Sequence, residues 1–191
     1  MSEDSLLSER HGAVALLHLN IPARMNPLTL PLQQALRAVL AGLREDRSVR
    51  ALLLTGTGKA FCVGADLGSM APPDKGSLGA QTADAMESLS NRLIEDLRTL
   101  PFPVVSAVNG ACAGAGVGVA LAADVVLAAR SAYFYLPFMP RLGIVPDLGT
   151  TWFLERSVGR ARAVAMSLLG ERLSAEQAAQ WGLVWQCVDD A

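Results

Sequence analysis

Short apolar runs alternate with amphipathic stretches along almost the whole chain, and this alternation constrains the fold more than any other feature. Ala13–Asn20, Arg50–Thr55, Val104–Val108 and Val125–Ala129 read as strands rich in Val, Leu and Ala, each bounded by Pro, Gly, Asn or charged residues. Between the first two, Leu32, Leu36, Val39, Leu40 and Leu43 recur at helical spacing, which predicts a helix over Thr29–Leu43. Thr82–Leu100 predicts a second, stopped before Pro101. A third opens at about Gly114. Tyr133–Leu136 leans towards strand, and Leu148–Glu155, Arg160–Leu169 and Ser174–Trp181 towards helix. Ser174 with Gln177 forms a capping box, and Gly182 fits the residue just past the helix end. Val184–Val188 reads as a closing strand. Lys59–Gly68 and Ala71–Ala80 read as loops, the second the more mobile. Strands alternating with helices imply an α/β fold with parallel pairing, and the sequence holds no internal repeat.

Composition narrows the function class. Hydrophobic residues make up 51% of the chain and charged residues 18%, which excludes disorder. A net charge of −2 argues against nucleic acid or a membrane surface as partner. Cys62, Cys112 and Cys187 are widely spaced and form no CxxC, as expected of free thiols in a reducing cytoplasm. The polar, acidic segment over residues 1–10 reads as a flexible N-terminus and not as a secretory signal, leaving residues 11–191 as the core domain. The longest apolar run, Val117–Ala129, is interrupted by Asp124 and is shorter than the ~20 residues a bilayer needs.

Several familiar sites are missing. There is no P-loop. Gly114, Gly116 and Gly118 follow a strand and open a helix, but Val119 stands where a dinucleotide fingerprint needs its third glycine. His11 and His18 flank one strand without a spaced carboxylate partner, so no metal site is expected. Two small-residue turns remain, Phe61–Leu67 and Asn109–Gly116, each following a strand. Both let backbone N–H groups approach a ligand closely. Two such donors from separate loops would make an oxyanion hole, although each turn alone reads equally as a tight strand–helix connection.

Four segments resemble the crotonase (enoyl-CoA hydratase/isomerase) superfamily, in the family's order: IPARMNPL (Ile21–Leu28), KAFCVGADL (Lys59–Leu67), PVVSAVNGACAGAGVGVALAADVVLAA (Pro103–Ala129), and LGIVPDLGTTWFLERSVGRARAVAMSLLGERLSAEQAAQWGLVWQ (Leu142–Gln186). The resemblance implies a ββα spiral core. It also implies that the family's C-terminal helical part is missing or truncated here, because the family continues past the position of Ala191. The implied substrate is a coenzyme A thioester, with no permanently bound cofactor and no metal. Its carbonyl oxygen would sit between the N–H groups of Ala65 and Ala115. Val63, Gly64, Asp66, Leu67, Gly68, Gly114 and Gly116 would line the acyl-CoA site. Arg24 matches a basic residue near the CoA phosphates, or is a solvated loop charge. The implied assembly is a homotrimer or dimer of trimers in a bacterial cytoplasm.

The departures from the pattern matter as much. The resemblance places the hydratases' two glutamates at Gly118 and at Phe138, with Met139 its neighbour; none of these can activate water. One carboxylate remains, Asp147, where isomerase branches carry a single proton shuttle. The last signature is most similar to the epoxyphenylacetyl-CoA isomerase branch, which also shifts Δ3 double bonds to Δ2. Asp147 could instead cap the following helix. An apolar pocket from Phe138, Met139 and Trp152 would raise its pKa towards that of a useful base. The expectation is therefore an enoyl- or ring-epoxide-CoA isomerase with Asp147 as base. An enoyl-CoA hydratase and a non-catalytic acyl-CoA-binding subunit are the alternatives, and a nucleophilic Asp147 a more distant one. Asp66 is expected to fix its loop and Asp124 to be a structural acceptor.

Overall fold

The computed structural model describes residues 5–66 and 77–190. Two sheets stack the strands. The larger contains β1 (Leu6–His11), β2 (Val14–Leu19), β3 (Ala51–Gly56), β5 (Val104–Val108), β7 (Val125–Ala129) and β10 (Gln186–Val188), in the order β1-β2-β3-β5-β7-β10. Every pairing in it is parallel except β1 with β2. The smaller contains β4 (Ala60–Cys62), β6 (Ala111–Ala113), β8 (Tyr133–Tyr135) and β9 (Leu173–Ser174) in the order β4-β6-β8-β9. Consecutive strand pairs β3/β4, β5/β6 and β7/β8 thus lay one strand into each sheet before a helix follows, which is the ββα spiral. The geometry repeats although the sequence does not.

Leu6–His11 corrects the expectation of a flexible terminus. Its residues pair antiparallel with β2, from Leu6 opposite Leu19 to His11 opposite Val14, and the Gly12 turn has φ 60°. Only one apolar pair, Leu6-Leu7, marks it, so periodicity alone does not find this edge strand. Ala60–Cys62 and Ala111–Ala113, expected as loop and turn, are also strands. Three residues are too few to display an alternation, and all six are buried on both sides.

α1 (Leu30–Glu45) is capped by Thr29, whose Oγ1 accepts from Leu32 N–H, and buries Leu32, Leu36 and Leu40. The second helical region starts earlier than expected, at a Ser77 cap, within the segment expected to be loop; residues 71–76 lie outside the described residues. It runs as α2 (Leu78–Ala85), a π turn (Met86–Ser90) and α3 (Asn91–Arg98), which buries Leu93, Ile94 and Leu97. α4 (Ala115–Leu121) is buried at every residue, and α5 (Thr150–Leu169) is broken at Gly159, as the gap between the two expected helices implies. α6 (Ala175–Trp181) carries the anticipated Ser174 cap on Gln177 N–H and ends at Gly182. Asp124 is the structural acceptor expected: its Oδ2 takes the Val104 N–H at 2.9 Å. Among the described residues no helix is long and apolar enough to cross a membrane.

Candidate active site

The two small-residue turns meet where β4 and β6 end. Cys62 and Cys112 stand opposite each other in the parallel ladder, so the residues that follow them emerge side by side. Gly64 has φ 87°, and a Cβ there would lie 2.9 Å from Ala115 N and 3.0 Å from Ala113 O. Only glycine permits both the left-handed backbone and the approach of one loop to the other. Gly114 caps α4 from the opposite side with φ 54°, facing the Val63 carbonyl, and Gly116 lies against the Cys62 carbonyl. The structure therefore brings together Val63, Gly64, Gly114, Ala115 and Gly116. Ala65 follows directly and bridges to Leu28. Ala65 is exposed and Ala115 buried; among the described residues neither N–H donates to a protein acceptor. Burial pushes the Cys62 thiol up to about 12 and the Cys112 thiol well above its usual value, which leaves both un-ionised and inert.

Arg24 and Asp66 form an ion pair at 2.5 Å, with the Arg24 side chain 54% exposed and the Asp66 side chain 11%. Asp66 thus ties its loop to the turn at Pro22–Arg24, while Arg24 keeps a face open to solvent. Leu67 and Gly68, expected to line the same site, lie outside the described residues.

On the other side, α5 packs its first turn against α4. Gly118 sits one helical turn beyond Ala115. A Cβ at Gly118 would meet the Leu148 carbonyl oxygen at 2.5 Å, Leu148 Cβ at 2.9 Å and Thr150 Oγ1 at 2.9 Å. The position where the resemblance puts the hydratases' first glutamate is therefore closed by the chain itself. Phe138, at the second, is buried within a π turn (Phe138–Leu142) and Met139 is half-buried beside it.

Asp147 precedes this contact. It does not cap α5: Gly149 occupies the cap position in the left-handed region, and no side-chain oxygen serves the first turn. The Asp147 carbonyl, not its carboxylate, accepts from Thr150 N–H at 2.9 Å. Its Oδ1 is buried without a hydrogen-bond partner among the described residues, and so is Thr150 Oγ1. Burial raises the Asp147 carboxyl from 3.8 to about 6. Trp152, expected to wall the pocket, instead is 50% exposed, with the Arg156 guanidinium 4.1 Å above its ring.

Three contributors have no clear sequence signal. Asn26 is fully buried with φ 55°; its Oδ1 accepts from Ile21 N–H at 2.7 Å, and its Nδ2 donates to Thr57 O at 3.0 Å and Ala60 O at 2.8 Å. Beyond its place in the IPARMNPL segment, the tolerance of Asn for positive φ is the hint. Leu148, with φ 47°, and Thr150 set the turn that seals Gly118. Their roles arise from packing between α4 and α5.

Known proteins resemble this chain in sequence and in fold. The enoyl-CoA hydratase/isomerase family model matches residues 9–191. The chain is 44% identical to the 1,2-epoxyphenylacetyl-CoA isomerase of Escherichia coli strain K12 over 185 residues, covering 97% of this chain and 70% of that protein. It is 42% identical to a probable enoyl-CoA hydratase of Rhodobacter capsulatus over 190 residues, covering 100% of this chain and 71% of that one. The crystal structure of an enoyl-CoA hydratase from Bacillus anthracis superposes with a TM-score of 0.90 at 34% identity, covering 97% of this chain and 70% of that one. The spiral of paired strands, the abutting turns and the similarity along nearly the full chain agree: the protein belongs to the enoyl-CoA hydratase/isomerase family, within the crotonase superfamily.

Proposed function

We propose that the protein isomerises an enoyl- or ring-epoxide-CoA thioester, using Asp147 as its single proton shuttle. The observation that carries this reading is the Asp147 carboxylate: half-buried, with its Oδ1 buried and unpartnered among the described residues, and raised to about 6, near the pH at which a base works best. The closed Gly118 position and the apolar Phe138 support it, because they leave no second acid to activate water. So does the likeness to a 1,2-epoxyphenylacetyl-CoA isomerase.

For a 3-enoyl thioester the step is balanced within the site. The Asp147 carboxylate takes a proton from Cα, and the C–H electron pair moves into a dienolate. The Ala65 and Ala115 N–H groups donate to the thioester oxygen as its charge grows. The same proton then returns to Cγ, the double bond settles between Cα and Cβ, and Asp147 is again a carboxylate. Val63, Gly64, Asp66, Gly114, Gly116, Phe138 and Met139 border the acyl chain. Arg24 offers its exposed face to the CoA phosphates. A cytoplasmic homotrimer or dimer of trimers completes it, supported by exposed apolar side chains such as Val145 and Trp185.

The test is product identification with 3-enoyl-CoA and 2-enoyl-CoA thioesters. The expected result is conversion of the first to a 2-enoyl-CoA with no gain of water. Rapid hydration of 2-enoyl-CoA without isomerisation would overturn it in favour of a hydratase, and binding without turnover in favour of a carrier subunit.

A further inference from the structure

The structure assigns Gln33 and Ser90 as positioning residues that hold the Ala65 amide in its working orientation through the Leu28 backbone. This inference rests on the isomerase reading and adds residues outside the family signatures. Both are polar side chains buried in helical segments remote in sequence from the site, 4% and 7% exposed. Their hydrogen bonds form one continuous chain. Ser90 Oγ donates to Gln33 Oε1 at 2.7 Å, and Gln33 Nε2 donates to the Leu28 carbonyl at 3.1 Å. Leu28 N–H in turn donates to the Gly64 carbonyl at 2.8 Å.

The last bond decides the matter. The Gly64 carbonyl and the Ala65 N–H belong to one planar trans peptide, in which C=O and N–H point in opposite directions. Holding the carbonyl on the Leu28 side aims the N–H away from it. Drawing electron density towards that carbonyl also strengthens the N–H as a donor. Gln33 fixes Leu28 from behind by its other peptide group. Ser90 prevents the carboxamide from rotating, and Arg37 adds a second clamp between α1 and the same region, on Asp96 at 2.6 Å. Ser90 closes the π turn Met86–Ser90, an irregularity that widens the helix where it meets α1.

Replacing Gln33 by Leu keeps the volume and removes both side-chain bonds. Displacing one oxyanion donor without deleting it is expected to lower kcat about 10-fold, short of the 10²–10³-fold that loss of a donor costs, with KM changed less than about 2-fold. A purely structural network would lower stability without altering how a bound carbonyl is polarised. The deciding readout is therefore the infrared band of carbonyl-¹³C phenylacetyl-CoA bound to the protein. In Gln33→Leu the band moves back towards that of the free thioester. Ser90→Ala leaves the Gln33–Leu28 bond in place and gives a smaller shift in the same direction. It serves alone if Gln33→Leu does not fold. A wild-type band and wild-type kcat in the folded variants overturn the assignment. If those variants behave as expected but Asp147→Asn retains full activity, the fault lies in the isomerase reading and not in the positioning of Ala65.

Discussion

Replacing Gly118 with alanine tests the packing that distinguishes this site from one with two glutamates. A single methyl group there must displace the Leu148 carbonyl, 2.5 Å away, and it also presses on Leu148 Cβ and Thr150 Oγ1, each at 2.9 Å. The carbonyl is backbone and cannot swing aside as a long side chain would. Overpacking against a backbone atom this close falls in the upper part of the usual range, about 2–3 kcal/mol. Alanine in a helix interior recovers about 1 kcal/mol relative to glycine. The net loss is about 1–2 kcal/mol, and at about 2–4 °C per kcal/mol for a domain of this size the midpoint falls by about 2–8 °C. Thermal unfolding followed by circular dichroism reads this directly, with urea denaturation as a check. The strained turn carries Asp147, so kcat for isomerisation falls with stability. Gly118→Glu restores a carboxylate but enlarges the clash, and no hydratase activity is gained. If Gly118→Ala is as stable and as active as the wild type, the turn is pliable and the closed position does not explain the missing glutamate.

The other predictions follow from single groups. The kcat/KM profile rises as pH passes through about 6, the value to which burial lifts Asp147, and a flat profile between pH 5 and 7 would contradict its role as base. The same burial makes an ionised Asp147 a cost to folding: its carboxyl is raised above 3.8, so the penalty is absent below about pH 4, grows towards pH 6 and is complete above it. Asp147→Asn is therefore more stable than the wild type by about 3 kcal/mol at pH 8, with the difference vanishing at acid pH in denaturant titrations. Asn26→Ala strands the Ile21 N–H and the Thr57 carbonyl, leaves the Ala60 carbonyl with only the longer bond from Asn109 Nδ2 at 3.4 Å, and lowers stability by about 2–4 kcal/mol. Arg24→Ala raises KM for CoA thioesters but not for N-acetylcysteamine thioesters; an equal effect on both would remove Arg24 from the phosphate site.

Much of this architecture was legible because long elements carry their own periodicity. Val104–Val108 and Val125–Ala129 appear in the structure with the bounds that the sequence implies, and the Leu stripe of α1 faces the core as its spacing requires. Short strands were not legible. β4 and β6 owe their pairing to each other and to β8, and a residue triplet cannot announce a partner. β1 is a strand because β2 needs an edge neighbour, while its own side chains are mostly exposed. At the site, glycine spacing located the two turns, since close backbone approach demands small residues. Asp147 remained ambiguous between cap and base because the choice depends on Leu148 and Gly149. Both take positive φ and turn the carboxylate away from the helix amides. The bond from Ser90 to Gln33 joins residues 57 positions apart, and neither helix shows in isolation that it needs the other.

The most direct test of the account is turnover of a 3-enoyl-CoA by wild-type protein and by Asp147→Asn, measured at saturating substrate with the fold checked by circular dichroism. If one carboxylate carries the proton from Cα to Cγ, the variant binds the thioester with little change in affinity, and kcat falls by about 10²–10⁴-fold, the usual contribution of a positioned acid–base group. An Asp147→Asn protein that isomerises at the wild-type rate would contradict the claim, and the proton would have to travel by another route.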